Sequence, residues 1–187
     1  MMAYLKRCLA LLAALTLSLS AYAASMEFSI SPSIDVADYI ASAEGVTDVD
    51  LSDDVAKGFA VSAGIFGDIY PWLSAGGVAY VDVRSLINED GALITIPFMA
   101  ALRFSYPGGD FEIPLTIMAG GHAQIAGSYV KFGPAFALSA GISIKLVENF
   151  FLDISTWFSL MMQLSDDGRT AYEIVSRPIA LGVRAKF

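Results

Sequence analysis

The sequence has few of the residues that build covalent or metal-based sites, with one cysteine (Cys8) and one histidine (His122). A single cysteine excludes an internal disulfide framework. Charged residues make up only 16% of the chain, against about 25% in typical soluble domains. Basic residues number 11 and acidic residues 19. Because phosphate backbones attract basic surfaces, nucleic acid is not an expected partner.

The N-terminal residues carry the pattern of an export signal. Two basic residues precede an apolar run from Cys8 to Leu19, and the small-residue motif Ala21-Tyr22-Ala23 then offers a cleavage site. We expect residues 1–23 to be a cleaved secretory signal peptide and residues 24–187 to form the mature domain. Acylation is not expected, because a lipoprotein cysteine directly follows the apolar run and Cys8 begins it.

Long apolar runs are lacking after the leader, although 56% of all residues are hydrophobic and the mean hydropathy is +0.61. The best candidates, residues 92–104 and 130–147, are interrupted by Pro, Gly, Ser, Thr, Arg or Lys. A membrane helix needs about 20 mainly apolar residues. An exported chain this apolar is expected in a membrane, and the other closed structure that spans a bilayer is a β-barrel.

Period-two alternation runs through most of the mature chain, with one apolar face and one small or polar face in each segment. Eight segments reach the roughly 9–11 residues that a tilted membrane strand requires. They are Met26–Val36, Lys57–Phe66, Leu73–Val83, Ile94–Phe104, Phe111–His122, Val130–Leu146, Phe150–Leu164 and a last segment from about Ile174 to Phe187. The sequence therefore predicts an all-β fold, an eight-stranded antiparallel up-and-down transmembrane β-barrel.

The predicted connections alternate in length, which is typical of membrane barrels whose termini share the side with short turns. Residues 67–71, 105–110 and 148–150 are short connections, and the longer ones include residues 37–56, 84–93 and 165–173. Aromatic residues gather at the short-turn side: Phe66, Tyr70, Trp72, Phe104, Tyr106, Phe111, Phe150, Phe151 and Phe187. They predict an aromatic girdle at a membrane interface.

Charged residues on the polar faces predict ion pairs inside the barrel, near the short-turn side. The expected pairs are Arg103 with Glu112, Lys145 with Asp153, and Glu27 with Arg184 or Lys186. A charge inside a barrel needs a partner more than a charge in water does.

Five prolines lie within the predicted strands: Pro32, Pro97, Pro114, Pro134 and Pro178. Each removes one hydrogen bond from a ladder that has no free edge, so we expect local bulges or kinks there.

A soluble β-sandwich or lipocalin would alternate in the same way. Its solvent faces would be rich in Lys and Glu, whereas the polar faces here are mostly Gly, Ser, Ala and Thr. Small residues suit a crowded lumen better than a solvated surface, so the membrane barrel is preferred.

The leader, the eight strands and the final IALGVRAKF stretch, Ile179–Phe187, resemble the small outer-membrane β-barrels of diderm bacteria. These are the OmpA-transmembrane, OmpX and OmpW-like group. The resemblance implies that Phe187 marks the chain for the barrel assembly machinery and completes a periplasmic girdle. It also implies an outer-membrane location, contact with outer-membrane lipid, periplasmic termini and extracellular longer loops.

The lumen is the main clue to function. The bulkier side chains expected to line it are Tyr80, Met99, Met118, Trp157 and Met161. Their inward neighbours are mostly Gly, Ala and Ser, which would leave a narrow cavity, and OmpW-like barrels are associated with passage of small hydrophobic molecules. We expect a monomer without cofactor that is either a porin-like conduit for such solutes or a non-conducting structural or adhesin barrel.

His122 and the first long connection are the remaining candidates for chemistry. Outer-membrane barrels that modify lipid A or cleave peptides use a histidine with a serine or an acid, but only Gln124 and Ser128 stand near His122, without tight spacing. A lipid A-modifying enzyme is thus a remote alternative. The first connection carries Asp38, Glu44, Asp48, Asp50, Asp53 and Asp54. It lacks the spacing of a calcium loop, so a solvated surface loop is preferred to a metal site.

Overall fold

The computed structural model describes residues 24–42, 45–50, 57–85, 92–127, 129–164 and 170–187. For residues 24, 35–42, 45–50, 129 and 164 it describes only the backbone. The predicted signal peptide lies outside the described residues. The strands are β1 (Ala24–Ser42), β2 (Gly45–Asp50), β3 (Lys57–Tyr70), β4 (Leu73–Ser85), β5 (Ala92–Pro107), β6 (Phe111–Ala126), β7 (Tyr129–Val147), β8 (Phe150–Leu164) and β9 (Thr170–Lys186). No helix in these ranges is long and apolar enough to cross a membrane.

Eight of these strands close into an antiparallel barrel. Strand β3 follows β1 in the sheet, β4 to β9 follow in chain order, and β9 pairs back onto β1. The prediction of an eight-stranded up-and-down barrel is confirmed. The short strand β2 was not predicted; it pairs with the end of β1, Asp38–Ser42.

The side chains alternate between an outer face and a lumen, and the apolar rows face outward. On β5, Phe98 is 62% exposed on the outer face, whereas its neighbour Met99 is 3% exposed in the lumen. The lumen-facing row of the same strand continues with Ala101 and Arg103, both buried. A soluble sandwich would bury its apolar rows, so this arrangement contradicts that alternative and fits a barrel that faces lipid.

The two ends of the barrel differ. One end, the short-turn end, has the turns Pro71–Trp72, 108–110 and Glu148–Asn149 together with both chain ends of the described barrel. The opposite end, the long-loop end, has the connections that follow β1, β4, β6 and β8. This alternation matches the predicted one except between β6 and β7, where only residues 127 and 128 separate the strands, as few as in the short turns. The strands reach further into the connections at both ends than expected.

The turn between β5 and β6 shows why. Gly109 has a φ of +81°, which lets three residues reverse the chain, and Pro107 pairs directly with Glu112. Glycine adopts this left-handed conformation without steric cost. The predicted turn, residues 105–110, was too long, and the predicted register was shifted accordingly.

Two of the five strand prolines lie at an irregular stretch of the barrel, where β9 closes onto β1. The β1–β9 register shifts between Ile30 and Ile34, on either side of Pro32. At Pro178, two consecutive residues of β9, Pro178 and Ile179, point outward, and the β8–β9 register shifts between Ser155 and Trp157. This is a bulge as expected.

The other three prolines do not produce one. Pro97, Pro114 and Pro134 lie in ladders that show no register shift around them, so no bulge forms at these positions; the alternative expectation, a kink, stays a prediction.

The inward positions occupied by glycine have no room for a Cβ atom, because neighbouring strands approach them closely. A Cβ atom on Gly76 would lie 1.9 Å from the carbonyl oxygen of Ile65 on β3. On the next residue, the outward Gly77, the nearest atom to a Cβ would be the Met99 carbonyl oxygen at 3.8 Å. The small residues of the lumen therefore permit strand packing and do not by themselves imply an open bore.

This difference gives a matched pair of variants. Gly76→Ala should lower the free energy of unfolding by about 1–3 kcal/mol, the range for an overpacked site. Gly77→Ala should leave it unchanged or raise it by up to about 1 kcal/mol, because alanine restricts the unfolded chain. Urea unfolding in detergent micelles measures both. Equal losses at the two positions would contradict the close approach at Gly76.

Candidate functional site

The inward side chains fill the lumen in three groups along the barrel axis. Strand β6 passes through all of them, with Glu112 toward the short-turn end, Met118 in the middle and Gln124 toward the long-loop end. We name the groups the short-turn network, the apolar layer and the long-loop network, and each is described below.

The long-loop network consists of two arginines and two carboxylates, all buried: Asp82, Arg84, Glu173 and Arg177. Asp82 Oδ2 lies 3.2 Å from Arg177 Nη2, and its Oδ1 lies 3.7 Å from Arg84 Nε. Arg84 also pairs with Glu173. The charges of the four side chains balance, which is what a low-dielectric interior requires.

Neutral side chains complete the hydrogen bonds of this network. The Ser33 hydroxyl donates to Asp82 Oδ1 at 2.6 Å, and Arg84 Nη2 donates to Thr95 Oγ1 at 3.1 Å. Gln124 Nε2 donates to Glu173 Oε2 at 3.0 Å.

This network was not predicted, because Arg84 and Glu173 fall in the predicted loops. The signal was present for Arg84, which continues the inward alternation of β4 by one more step. It was absent for Arg177 and Glu173, because the bulge at Pro178 and Ile179 exchanges the inward and outward positions of β9.

Arg177 also stacks on two of the predicted lumen-lining residues. Its guanidinium carbon lies 3.8 Å from the ring centre of Tyr80 and 5.7 Å from that of Trp157. The two rings meet edge to face at 6.3 Å. The Tyr80 hydroxyl donates to the Ser159 hydroxyl at 3.1 Å, and Trp157 Nε1 donates to the Ser155 hydroxyl at 2.8 Å. The rings and Arg177 together occupy the lumen at this level.

The apolar layer lies between the two ion networks. Met99, Met118 and Met161, the remaining predicted lining residues, are all buried inside the barrel. They belong to one cluster of buried side chains with Val78, Ala101, Ala135 and Ala137. Flexible methionines fill irregular gaps well. These side chains therefore pack the lumen at this level, which fits the width of an eight-stranded barrel, and they occupy the space where the sequence predicted a narrow cavity.

The short-turn network contains three basic and three acidic side chains: Glu27, Arg103, Glu112, Asp153, Arg184 and Lys186. Arg103 Nη2 lies 2.5 Å from Glu27 Oε2. Arg184 Nη2 and Lys186 Nζ each lie 2.8 Å from a Glu112 oxygen. Aromatic rings pack against the two arginines, with Phe66 3.7 Å from Arg103 and Phe151 4.7 Å from Arg184.

The predicted partners within this network were wrong. Arg103 stands opposite Thr116 on the neighbouring strand, and its carboxylate partner is Glu27 rather than Glu112. Glu27 does stand opposite Arg184, yet Arg184 binds Glu112. The spacing of residues predicts contacts between adjacent strands, whereas long side chains in a narrow barrel reach strands across the bore.

Lys145 was also assigned wrongly. Its side chain is exposed, and its neighbour on β8 is Phe151 rather than Asp153. The error of two residues has two sources, a β7–β8 turn that is one residue tighter than predicted and a register shift between Lys145 and Val147. Asp153 instead lies with its Oδ2 3.6 Å from Arg184 Nε.

The observed pairing makes a charge-swap experiment specific. Arg103→Glu and Glu27→Arg, combined in one chain, should be tolerated better than either single substitution, because each single change places two like charges together inside the barrel. Combining Arg103→Glu with Glu112→Arg should give no such rescue. Heat-dependent gel mobility of the folded barrel measures this. If Glu112→Arg rescued the Arg103→Glu variant and Glu27→Arg did not, the observed pairing would be contradicted.

The predicted aromatic girdle is present on the outer face for the most part. The rings of Tyr70 and Trp72 stack at 5.6 Å, and Trp72 and Phe104 stack at 6.3 Å. Phe111 and Phe187 are also exposed, at the same end of the barrel. The prediction was wrong for Phe66 and Phe151, because both side chains point into the lumen and pack against arginine. The sequence indicated this orientation, because Phe66 is two residues from the inward Gly64 and Phe151 is two residues from the inward Asp153.

His122 is buried in the lumen, in register with Pro97 and Gly133. Neither ring nitrogen has a hydrogen-bonding side-chain partner within the described ranges, and no nucleophile–base pair forms there. Gln124 belongs to the long-loop network, and Ser128 lies outside the described residues. Where the structure describes the chain, it contains no group of three metal-ligating side chains. The acidic side chains of the first connection lie outside the described part.

No family model and no curated protein matches the chain. Among solved structures, the neisserial surface protein A, NspA, is similar with a TM-score of 0.57 and 14% identity, over 87% of this chain and 97% of that one. The outer membrane protein OprG from Pseudomonas aeruginosa is similar with a TM-score of 0.53 and 11% identity, over 89% and 96%. The chain has the fold of the small outer-membrane β-barrels. Two features of this barrel bear on its function, the packed lumen and the long-loop end.

Proposed function

We propose that this protein is a closed monomeric barrel of an outer membrane that displays its long-loop end at the cell surface. The short-turn end, with both termini, then faces the periplasm, and lipid covers the apolar outer face. The barrel assembly machinery would insert the chain, with Phe187 in its signal. The stacked rings of Tyr70, Trp72 and Phe104 support this placement, because aromatic residues favour membrane interfaces.

The packed lumen is the observation that carries this proposal. Two charge-balanced networks and an apolar layer fill the bore. The networks hold buried side chains that pair across the barrel, and the apolar layer consists of buried side chains in contact. A conduit for small hydrophobic molecules, the first hypothesis from the sequence, would require these layers to rearrange. The alternative, a structural or surface-interaction barrel, requires no rearrangement and is the function we favour.

The long-loop end supports a role in surface interaction. There β1 and β9 extend beyond the start of β3, and β2 adds a further strand along Asp38–Ser42. Among the described strands, β2 pairs with β1 alone, so it forms the edge of this extension. Sheet edges are surfaces on which extended peptides dock. NspA, one of the similar structures, is named a surface protein.

Conductance measurements test the closed state. Purified protein in planar bilayers should give no current steps, and liposomes that contain it should show no solute-driven swelling, whereas a wide porin in the same lipid gives both. Reproducible steps or swelling with the wild-type chain would overturn the proposal in favour of the conduit.

Labelling of intact cells tests the orientation. The mature chain has no cysteine, so single-cysteine variants are clean probes. An impermeant maleimide should label Asn88→Cys, in the connection after β4, and should not label Asp110→Cys, in the turn after β5. The reverse labelling pattern would contradict the proposed orientation.

We also propose that the protein is not an enzyme. The absence of a hydroxyl or carboxylate bonded to His122 within the described ranges supports this. The lipid A profile of cells that express His122→Ala should equal that of cells with the wild-type protein. A changed profile would require a catalytic role for this histidine.

A further inference from the structure

A cavity of about 30 Å³ lies inside the barrel beside the short-turn network. Several polar side chains line it, among them Glu27, Thr116, Ser139, Ser143, Asp153 and Ser155. Apolar voids in proteins stay dry, whereas a polar cavity holds water when it offers roughly 10–15 Å³ per molecule and two to four polar partners. By volume, this cavity accommodates about two water molecules.

Two atoms of residues that line the cavity lack partners within the described ranges. They are the Ser143 hydroxyl oxygen and Asp153 Oδ1. Ser143 is only 1% exposed, so bulk solvent does not satisfy it. An unsatisfied buried polar atom costs about 1–3 kcal/mol. The two residues face each other directly on β7 and β8, so one small molecule between their side chains would bond to both.

The other oxygen of Asp153 does not remove this need. It lies 3.6 Å from Arg184 Nε, beyond ordinary hydrogen-bonding distance, and the stronger contact of Arg184 is to Glu112. Asp153 is therefore the carboxylate of the short-turn network with the weakest direct partner, and it is one of the residues that line the cavity.

The charge balance of the short-turn network favours a neutral ligand. The three basic side chains of the network equal its three carboxylates in number. A bound cation or anion would leave a net charge inside the barrel, which is unfavourable in a low-dielectric interior. Water is neutral and can donate to a carboxylate while it bonds to a hydroxyl.

We propose that this cavity is an internal water-binding site in which one molecule bridges Asp153 Oδ1 and the Ser143 hydroxyl. The two ion networks then differ in construction. The long-loop network is held by direct side-chain contacts, and the short-turn network is completed by bound water. This inference does not depend on the proposed surface function.

A crystal structure of the wild-type protein, grown with rubidium chloride at a resolution that shows solvent, tests the site. The expected result is density within hydrogen-bonding distance of both Asp153 Oδ1 and the Ser143 hydroxyl, without anomalous signal. No density there would overturn the proposal. An anomalous rubidium peak would overturn it too, because the site would then bind a cation.

Substitution on the wall of the cavity supplies the control. Ser143→Val removes the hydroxyl and fills space, so the density beside Asp153 should disappear. Ser31→Val changes another buried inward serine that does not line this cavity, and it should leave the density in place. Persistence of the density in Ser143→Val would contradict the bridging role. If Ser143→Val fails to fold, the wild-type result decides alone.

Discussion

Replacing Asp82 with alanine should lower the free energy of unfolding by about 3–5 kcal/mol, the range for a buried ion pair that loses one partner. Asp82 is fully buried and binds two arginines, Arg84 and Arg177, and it accepts a hydrogen bond from Ser33. Without the carboxylate, the charge of Arg177 has no ion-pair partner among the described residues. Urea unfolding of the barrel in micelles or vesicles measures the loss.

Two further variants separate the loss of charge balance from the loss of a side chain. Asp110→Ala removes an exposed carboxylate in the β5–β6 turn and should change stability by no more than about 0.5 kcal/mol. Asp82→Asn combined with Arg177→Gln removes one charge of each sign and should be less harmful than Asp82→Ala. If the double variant lost more stability than Asp82→Ala, charge balance would not be what holds this part of the lumen.

Replacing Leu138 with arginine should lower the free energy of unfolding in bilayers by about 2–4 kcal/mol, the cost of a charged side chain on the lipid face near the midplane. Leu138 is the middle residue of β7, Tyr129–Val147, and its side chain is exposed on the outer face. The guanidinium would have to reach water through the hydrocarbon of the bilayer, which is why the effect should be large.

The same substitution at Leu146 supplies a matched control. Leu146 is exposed on the same face of the same strand, and it lies close to the β7–β8 turn. Near an interface the expected cost falls to about 0–1 kcal/mol. Equal losses at Leu138 and Leu146 would mean that depth does not matter, and the outer face would not be a lipid face.

The sequence was sufficient for the barrel because alternation is a local property. The contrast between Phe98 and Met99, one facing out and the other in, is visible in their positions alone once the strand is recognised. Because the side-chain period is two residues, a segment fixes its own inner and outer rows, except where a bulge exchanges them, as at Pro178 and Ile179 on β9. All eight predicted segments therefore coincide with barrel strands.

The partners of the lumen charges could not be predicted in the same way. The pairing of Arg103 with Glu27 joins β5 to β1, which are not neighbours in the sheet. It depends on the width of the bore and on turn geometry, such as the left-handed Gly109 that shortens the β5–β6 connection. These are properties of the closed barrel as a whole. The bulge at Pro178 could be predicted in part, since the proline indicated an irregularity in the strand but not the form that it takes.

Tryptophan quenching tests most directly whether the apolar face contacts lipid. The chain has two tryptophans, and they sample the two faces, with Trp72 51% exposed on the outer face and Trp157 6% exposed in the lumen. Trp72→Phe and Trp157→Phe each leave a single fluorophore in vesicles of lipid brominated high on the acyl chain. We predict strong quenching of Trp72 and little quenching of Trp157. Equal quenching of both, or stronger quenching of Trp157, would contradict the account.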